Sequence, residues 1–214
     1  MRANLQPVPS SQPRVFQYSL DWRFLLPIGD PARICVAFND EADFSETLER
    51  IGIPVSNQLS TSNFEGDARD AVHAFVLPFG LPVRWVSAKS EEQIELYRSI
   101  RRSICPGGYL LLGFGNPWNP RSRSQPGYHP STPRRAAYQL DRAGFKSTKI
   151  FGAMPNLRIP EYIFELNPQA MQFALEHRFR RKPVLLNALQ MLRRTTSLAR
   201  VSNFLPCYFA LATA

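Results

Sequence analysis

The run Ser103-Ile104-Cys105-Pro106-Gly107-Gly108-Tyr109-Leu110-Leu111-Leu112-Gly113-Phe114 holds a helix end, a glycine stop and a strand in quick succession. Tyr109 to Phe114 is a continuous apolar run bounded by turn residues, the pattern of a strand covered on both faces. Before it, Ser90 and Gln93 stand at capping-box spacing, and Ile94, Tyr97, Ile100 or Arg101, and Ile104 fall along one side of a helix. Cys105-Pro106-Gly107-Gly108 is read as the stop of that helix. A helix delivered straight into a doubly buried strand is a crossover unit, and crossover units build parallel sheets.

The same alternation extends both ways. Toward the N-terminus, residues 1–17 carry Pro, Ser and Gln without periodicity and read as a flexible tail, so one domain is expected over 18–214. Trp22 to Pro27 is an apolar lead-in, and Ile34-Cys35-Val36-Ala37-Phe38 is a buried strand. From Asn39 to Ile51 a helix is expected: Asn39 caps, acids fill the first turn, Phe44, Leu48 and Ile51 share a face, and Gly52 stops it. Ile53 to Ser56 reads as a short second strand, 57–70 as irregular, and Asp70 to Pro78 as another buried strand. Toward the C-terminus a long Pro-rich loop spans Asn116 to Ser131. Thr132, Pro133 and Gly144 then mark a helix from Pro133 to Ala143 with Ala137, Leu140 and Ala143 inward. Lys146 to Phe151 is strand, Asn167-Pro168 opens a helix to about Phe179, Pro183 opens one to about Arg194, and Tyr208 to Ala212 is the last strand. Residues 166–203 thus form a basic helical insertion before that strand. The class is α/β, a mostly parallel sheet with helices on both faces.

Composition bounds the function. The chain has 214 residues, 44% apolar and 20% charged, which excludes a disordered or collagen-like protein. Its net charge of +9 is uneven: residues 1–120 hold 11 basic and 13 acidic side chains, residues 121–214 hold 15 and 4. Cys35, Cys105 and Cys207 are far apart and odd in number, which suits buried free thiols in a reducing compartment better than a disulfide framework or a metal knuckle. No signal-type apolar segment and no long uncharged apolar window occurs, so a soluble cytoplasmic protein is expected.

Taken in order, these pieces resemble the class I S-adenosylmethionine-dependent methyltransferases. The resemblance rests on Trp22 to Pro27 followed by the strand Ile34 to Phe38, on Ile104-Cys105-Pro106-Gly107-Gly108-Tyr109-Leu110, which is similar to the family's Leu-x-Pro-Gly-Gly-x-Leu signature, and on Leu140-Asp141-Arg142-Ala143-Gly144-Phe145. It implies a Rossmann-like sheet ending in an antiparallel hairpin. It also implies S-adenosylmethionine as cofactor at the carboxyl ends of the strands, with Phe38, Asn39, Asp40, Gln58 and Leu77 as the positions that would touch it. Two departures weaken that site. The loop after the first strand, Asn39 to Phe44, has no glycine, and its acids Asp40, Glu41 and Asp43 would repel a carboxylate. After the second strand the chain runs Ser56-Asn57-Gln58, so the acid that bonds the ribose is missing and an amide stands in its place. The leading expectation is therefore a methyltransferase-fold protein with a degenerate cofactor site, acting as an interaction or regulatory subunit without a cofactor. The alternative is an active, divergent methyltransferase on a small-molecule or peptide acceptor.

Other candidates follow from residue chemistry. Trp118, Arg121 and Tyr128 in the Pro-rich loop could grip an anionic or aromatic substrate, and His129 is the candidate general base. His73 is expected in the core and His177 on the surface. Arg178, Arg180, Arg181, Lys182, Arg193 and Arg194 form the candidate partner face. It is a solvated basic surface, a site for self-association or an acidic protein partner, or a site for an anionic membrane; nucleic acid is disfavoured for want of a reader motif. No metal site is expected.

Overall fold

A computed structural model of the chain describes residues 21–27, 34–38, 58–60, 72–81, 88–119, 129–158, 160–180, 187, 191 and 205–214. The expected helices over 39–51 and 183–194 and the expected strand over 53–56 lie outside these residues, except for Asn187 and Met191, both exposed.

After a 3-10 turn at Asp21–Leu25 come β1 (Ile34–Phe38), β2 (Gln58–Ser60), β3 (Val72–Leu77), α1 (Ser90–Ser103), β4 (Ile104–Gly115), α2 (Pro133–Arg142), β5 (Lys146–Met154), β6 (Tyr162–Glu165), α3 (Pro168–Phe179) and β7 (Cys207–Thr213). The strands form one sheet in the order β2-β1-β3-β4-β7-β5-β6. Pairing is parallel from β2 to β4 and antiparallel at β4/β7, β7/β5 and β5/β6. The carboxyl ends of β1 to β5 consequently share one edge. The Rossmann-like architecture expected from the alternation is the one observed.

The apolar runs are explained by burial on both faces. Phe75, Leu77, Leu110, Leu112, Phe114, Tyr208 and Ala210 face one layer with Ile94, Tyr97 and Leu140 of α1 and α2. Val76, Leu111, Phe209 and Leu211 face the other, against Trp22 and Leu26. A strand whose odd and even residues are both buried cannot alternate in polarity.

Local chemistry sets the helix ends. In α2, Thr132 Oγ1 accepts the Arg135 N–H at 3.2 Å and Pro133 occupies the first turn. Gly144, at φ +91°, lets the Phe145 N–H reach the Leu140 carbonyl at 3.0 Å. Its buried residues are Ala136, Gln139 and Leu140, with Ala143 just beyond, whereas Ala137 is only half-buried. In α3, Asn167 Oδ1 accepts the Ala170 N–H at 2.8 Å.

Four expectations are corrected. Lys89, not Ser90, holds the cap position of α1; Ser90 Oγ instead accepts from Gln139 Nε2 at 3.1 Å across the helix pair. Pro106-Gly107-Gly108 is not a loop that ends α1. Ile104 is already extended (φ −94°, ψ 133°), and β4 starts there with a bulge: Val72 pairs Ile104 while Ala74 pairs Tyr109. Gln58–Ser60, inside the stretch read as irregular, is β2. Finally, Tyr162–Glu165 forms an edge strand the sequence does not signal, because its side chains are half-exposed and the run is short, so α3 lies between β6 and β7 in the chain.

Candidate functional site

Open α/β sheets bind ligands at the carboxyl ends of their strands. Here Phe38 and Ser60 end β1 and β2 side by side, Leu77 ends β3 and Gly115 ends β4. At the ends of the paired strands β3 and β4 the edge is covered by the chain itself. The turn after β3 is closed by the Gly80 N–H donating to the Leu77 carbonyl at 3.2 Å, and Pro78, Phe79, Gly80 and Leu81 are all buried. This turn lies flat on β4: a Cβ on Gly113 would run into the Pro78 carbonyl. On its other side it meets the returning loop, since a Cβ on Gly80 would stand 2.9 Å from both Cβ and N of His129.

That loop is stitched to the end of β4. The Gly115 N–H donates to the His129 carbonyl and the Ser131 N–H to the Gly115 carbonyl, each at 2.9 Å. Asn116, also buried, is the clamp beside it. Its Nδ2 donates to the Leu205 carbonyl at 2.6 Å and lies 3.3 Å from Tyr208 Oη, while its Oδ1 accepts the Trp118 N–H at 2.9 Å. Asn116 therefore ties the exit of β4 to the entry of β7. Asn116→Ala is expected to cost about 2 kcal/mol, because the freed Leu205 carbonyl and Trp118 N–H lose their partner; urea unfolding at neutral pH measures it.

His129 is 2% exposed and neither ring nitrogen has a hydrogen-bond partner. Burial, reinforced by the nearby Arg135 guanidinium, holds its pKa down to about 4. The imidazole at this position is neutral and enclosed, which is poor equipment for a general base acting on a bound acceptor. Trp118 is the opposite, 69% exposed on a backbone fixed by Asn116. Arg121 and Tyr128 lie outside the described residues, as do Asn39 and Asp40.

Of the remaining cofactor candidates, Phe38 ends β1, Gln58 begins β2 and Leu77 ends β3. Leu77 is 1% exposed and packs in the core layer of α1 rather than lining a cleft. Gln58 opens β2 opposite Val36, two residues short of the edge that Ser60 reaches beside Phe38. Among the described residues no group of His, Cys, Asp and Glu is placed to hold a metal ion, and no helix is long and apolar enough to cross a membrane.

Sequence reasoning missed the α1/α2 seam. Gln139 Nε2 donates to Gln93 Oε1 at 2.8 Å and Arg135 reaches the same oxygen at 3.5 Å, with the buried Tyr97 hydroxyl on the same helix pair. Two Gln residues on otherwise apolar helix faces were the available signal. His73, expected in the core, is exposed; it falls where the β3/β4 register shifts between Val72 and Ala74. His177 is exposed as expected, with Nδ1 2.7 Å from Tyr162 Oη. In the candidate partner face Arg178 and Arg180 are exposed; Arg181, Lys182, Arg193 and Arg194 lie outside the described residues. Cys35 and Cys207 are buried and in no disulfide, and burial pushes the Cys207 thiol pKa up; Cys105 is half-buried.

No protein-family model matches the chain, and no curated protein matches its sequence. In structure it is similar to a SAM-dependent methyltransferase from Archaeoglobus fulgidus, with TM-score 0.50, 13% identity, and 90% of this chain and 91% of that one covered. A SAM-dependent methyltransferase from Thermotoga maritima gives TM-score 0.49 and 11% identity over 89% of this chain and 84% of that one. A cyclopropane synthase from Mycobacterium tuberculosis gives 0.41 and 14% over 87% and 80%. At such identities a likeness speaks to the path of the chain and not to its chemistry.

Proposed function

We propose, from the premise that the chain has the fold of the class I S-adenosylmethionine-dependent methyltransferases, that its methyl-donor site is degenerate and that it works as a non-catalytic binding protein through its basic C-terminal face. The observation that supports this reading is the buried turn and loop at the ends of β3 and β4, next to the β1/β3 switch point where sheets of this kind bind ligands. Pro78 to Leu81 and His129 to Ser131 pack against each other at the carboxyl ends of β3 and β4 and are buried apart from Pro130. The glycine-free acidic stretch Asn39 to Phe44 supports it from sequence, since acids at a helix start disfavour the donor's carboxylate. Calorimetry with S-adenosylhomocysteine at millimolar concentration is expected to give no heat of binding. A saturable heat, joined by methyl transfer to an acceptor, overturns the reading.

A second reading is favoured by Trp118. An indole exposed at this edge on a clamped backbone is suited to stacking on a flat acceptor, with Arg121 and Tyr128 from the same loop. In that reading the protein is a divergent methyltransferase of small-molecule or peptide acceptors, and its residues act by positioning more than by proton transfer.

A further inference from the structure

The outward side of α3 joins two features that surfaces usually keep apart. Phe173 is 70% exposed, and Met191, farther along the chain, is 72% exposed. Large apolar side chains left in water on one segment mark a contact surface. In sequence this stretch is one-sided in charge: residues 166–203 carry Arg178, Arg180, Arg181, Lys182, Arg193, Arg194 and Arg200 against the single acid Glu176.

The Phe173 ring is braced. It stacks on His177 with centroids 6.1 Å apart, and His177 is held by Tyr162, edge-on at 5.6 Å and hydrogen-bonded at 2.7 Å. A ring buttressed from the edge strand of the sheet stands proud of the surface without the entropy cost of a loose side chain. Arg180 is unencumbered by any described ion pair, and Arg178 is engaged only with Glu161 at 3.5 Å, both partly exposed. Such a pair is weak and readily exchanged for a phosphate.

Deepening the non-catalytic reading on which it rests, we infer that this face docks on an anionic phospholipid surface, with Phe173 entering the headgroup layer and Arg178 and Arg180 meeting lipid phosphates. The charge excess is complementary to such a surface. The braced ring is a projecting knob, which a deformable bilayer accepts wherever it lands, whereas a protein partner would need a matching pocket.

Co-sedimentation with vesicles of equal parts phosphatidylserine and phosphatidylcholine, at about 0.1 M salt, tests this. Wild type is expected to bind these vesicles and to bind pure phosphatidylcholine vesicles at least tenfold more weakly, on the order expected from several basic side chains. Phe173→Ser is expected to weaken binding about tenfold with no change of charge. Arg178→Gln with Arg180→Gln is expected to weaken it by roughly tenfold or more. Arg98→Gln with Arg102→Gln, on α1, removes the same charge elsewhere and is expected to change binding less than about twofold. Phe173, Arg178, Arg180 and Arg102 are exposed and Arg98 is half-buried; circular dichroism of each variant checks that it is folded. No binding to the anionic vesicles overturns the inference. So does an equal loss from both arginine pairs with Phe173→Ser unchanged, which means net charge alone. If a polyglutamate peptide binds in a Phe173-dependent way and vesicles do not, the lipid assignment falls and the non-catalytic reading stands. If S-adenosylhomocysteine binds in calorimetry and methyl transfer to an acceptor goes with it, that reading falls and the vesicle result stands independently.

Discussion

Gly113→Ala is expected to destabilise the protein by about 3–4 kcal/mol, lowering the thermal midpoint by roughly 10 °C for a chain of this size. Gly113 sits inside β4, paired with Phe209 of β7, so its backbone is ordinary strand. The cost is steric. The added methyl would meet the Pro78 carbonyl, with Leu157 Cδ1 only 3.2 Å away, and neither the turn after β3 nor the sheet has room to yield. Gly107→Ala is the control. Gly107 has φ +80° but nothing within 4 Å of an added Cβ, so only left-handed strain of about 1 kcal/mol applies. Both variants are measured by chemical denaturation. If they cost the same, the turn after β3 does not rest on β4.

Acidification is expected to remove roughly 3 kcal/mol of stability through His129 alone. Its pKa in the folded chain is lowered to about 4 from 6.5 by burial and then by Arg135. Between those values the unfolded chain binds the extra proton and the folded chain does not. Stability is whole above about pH 6.5 and is lost as pH falls toward 4. Urea unfolding of wild type and His129→Leu across this range isolates the effect: their stabilities should be close near neutral pH, and the variant should become the more stable by up to that amount as the pH drops. At neutral pH the substitution is expected to be mild, since neither ring nitrogen makes a hydrogen bond. Parallel pH profiles would show that His129 is charged or solvated in the folded chain.

Much of the framework was legible because it is locally determined. Thr132, Pro133 and Gly144 fix α2 through hydrogen bonds within a few residues, and Asn167 does the same for α3. The triple-leucine strand was legible because burial on both faces leaves a continuous apolar run. What escaped was decided at a distance. Whether Pro106-Gly107-Gly108 is a loop or a bulged strand depends on the register of β3, where a Cβ on Gly108 would come 2.6 Å from the His73 carbonyl. Ser90 was given a cap role that its bond to Gln139 displaces. At the site the sequence pointed to His129 and Trp118, but not to their opposite environments. Asn116, flanked by Gly115 and Pro117, looked like an ordinary turn residue, and its partners Leu205 and Tyr208 lie far along the chain.

The place of β7 in the middle of the sheet has a consequence for the chain during synthesis. β4 ends at Gly115, yet the neighbour that covers its far side, β7, begins only at Cys207. Until that segment emerges from the ribosome, Leu110-Leu111-Leu112-Gly113-Phe114 presents an apolar strand edge with unpaired N–H and carbonyl groups, a template for aggregation between nascent chains. Folding of this protein thus hinges on how long that edge waits, which makes the slow emergence of 116–206 the interval in which a chaperone would be needed.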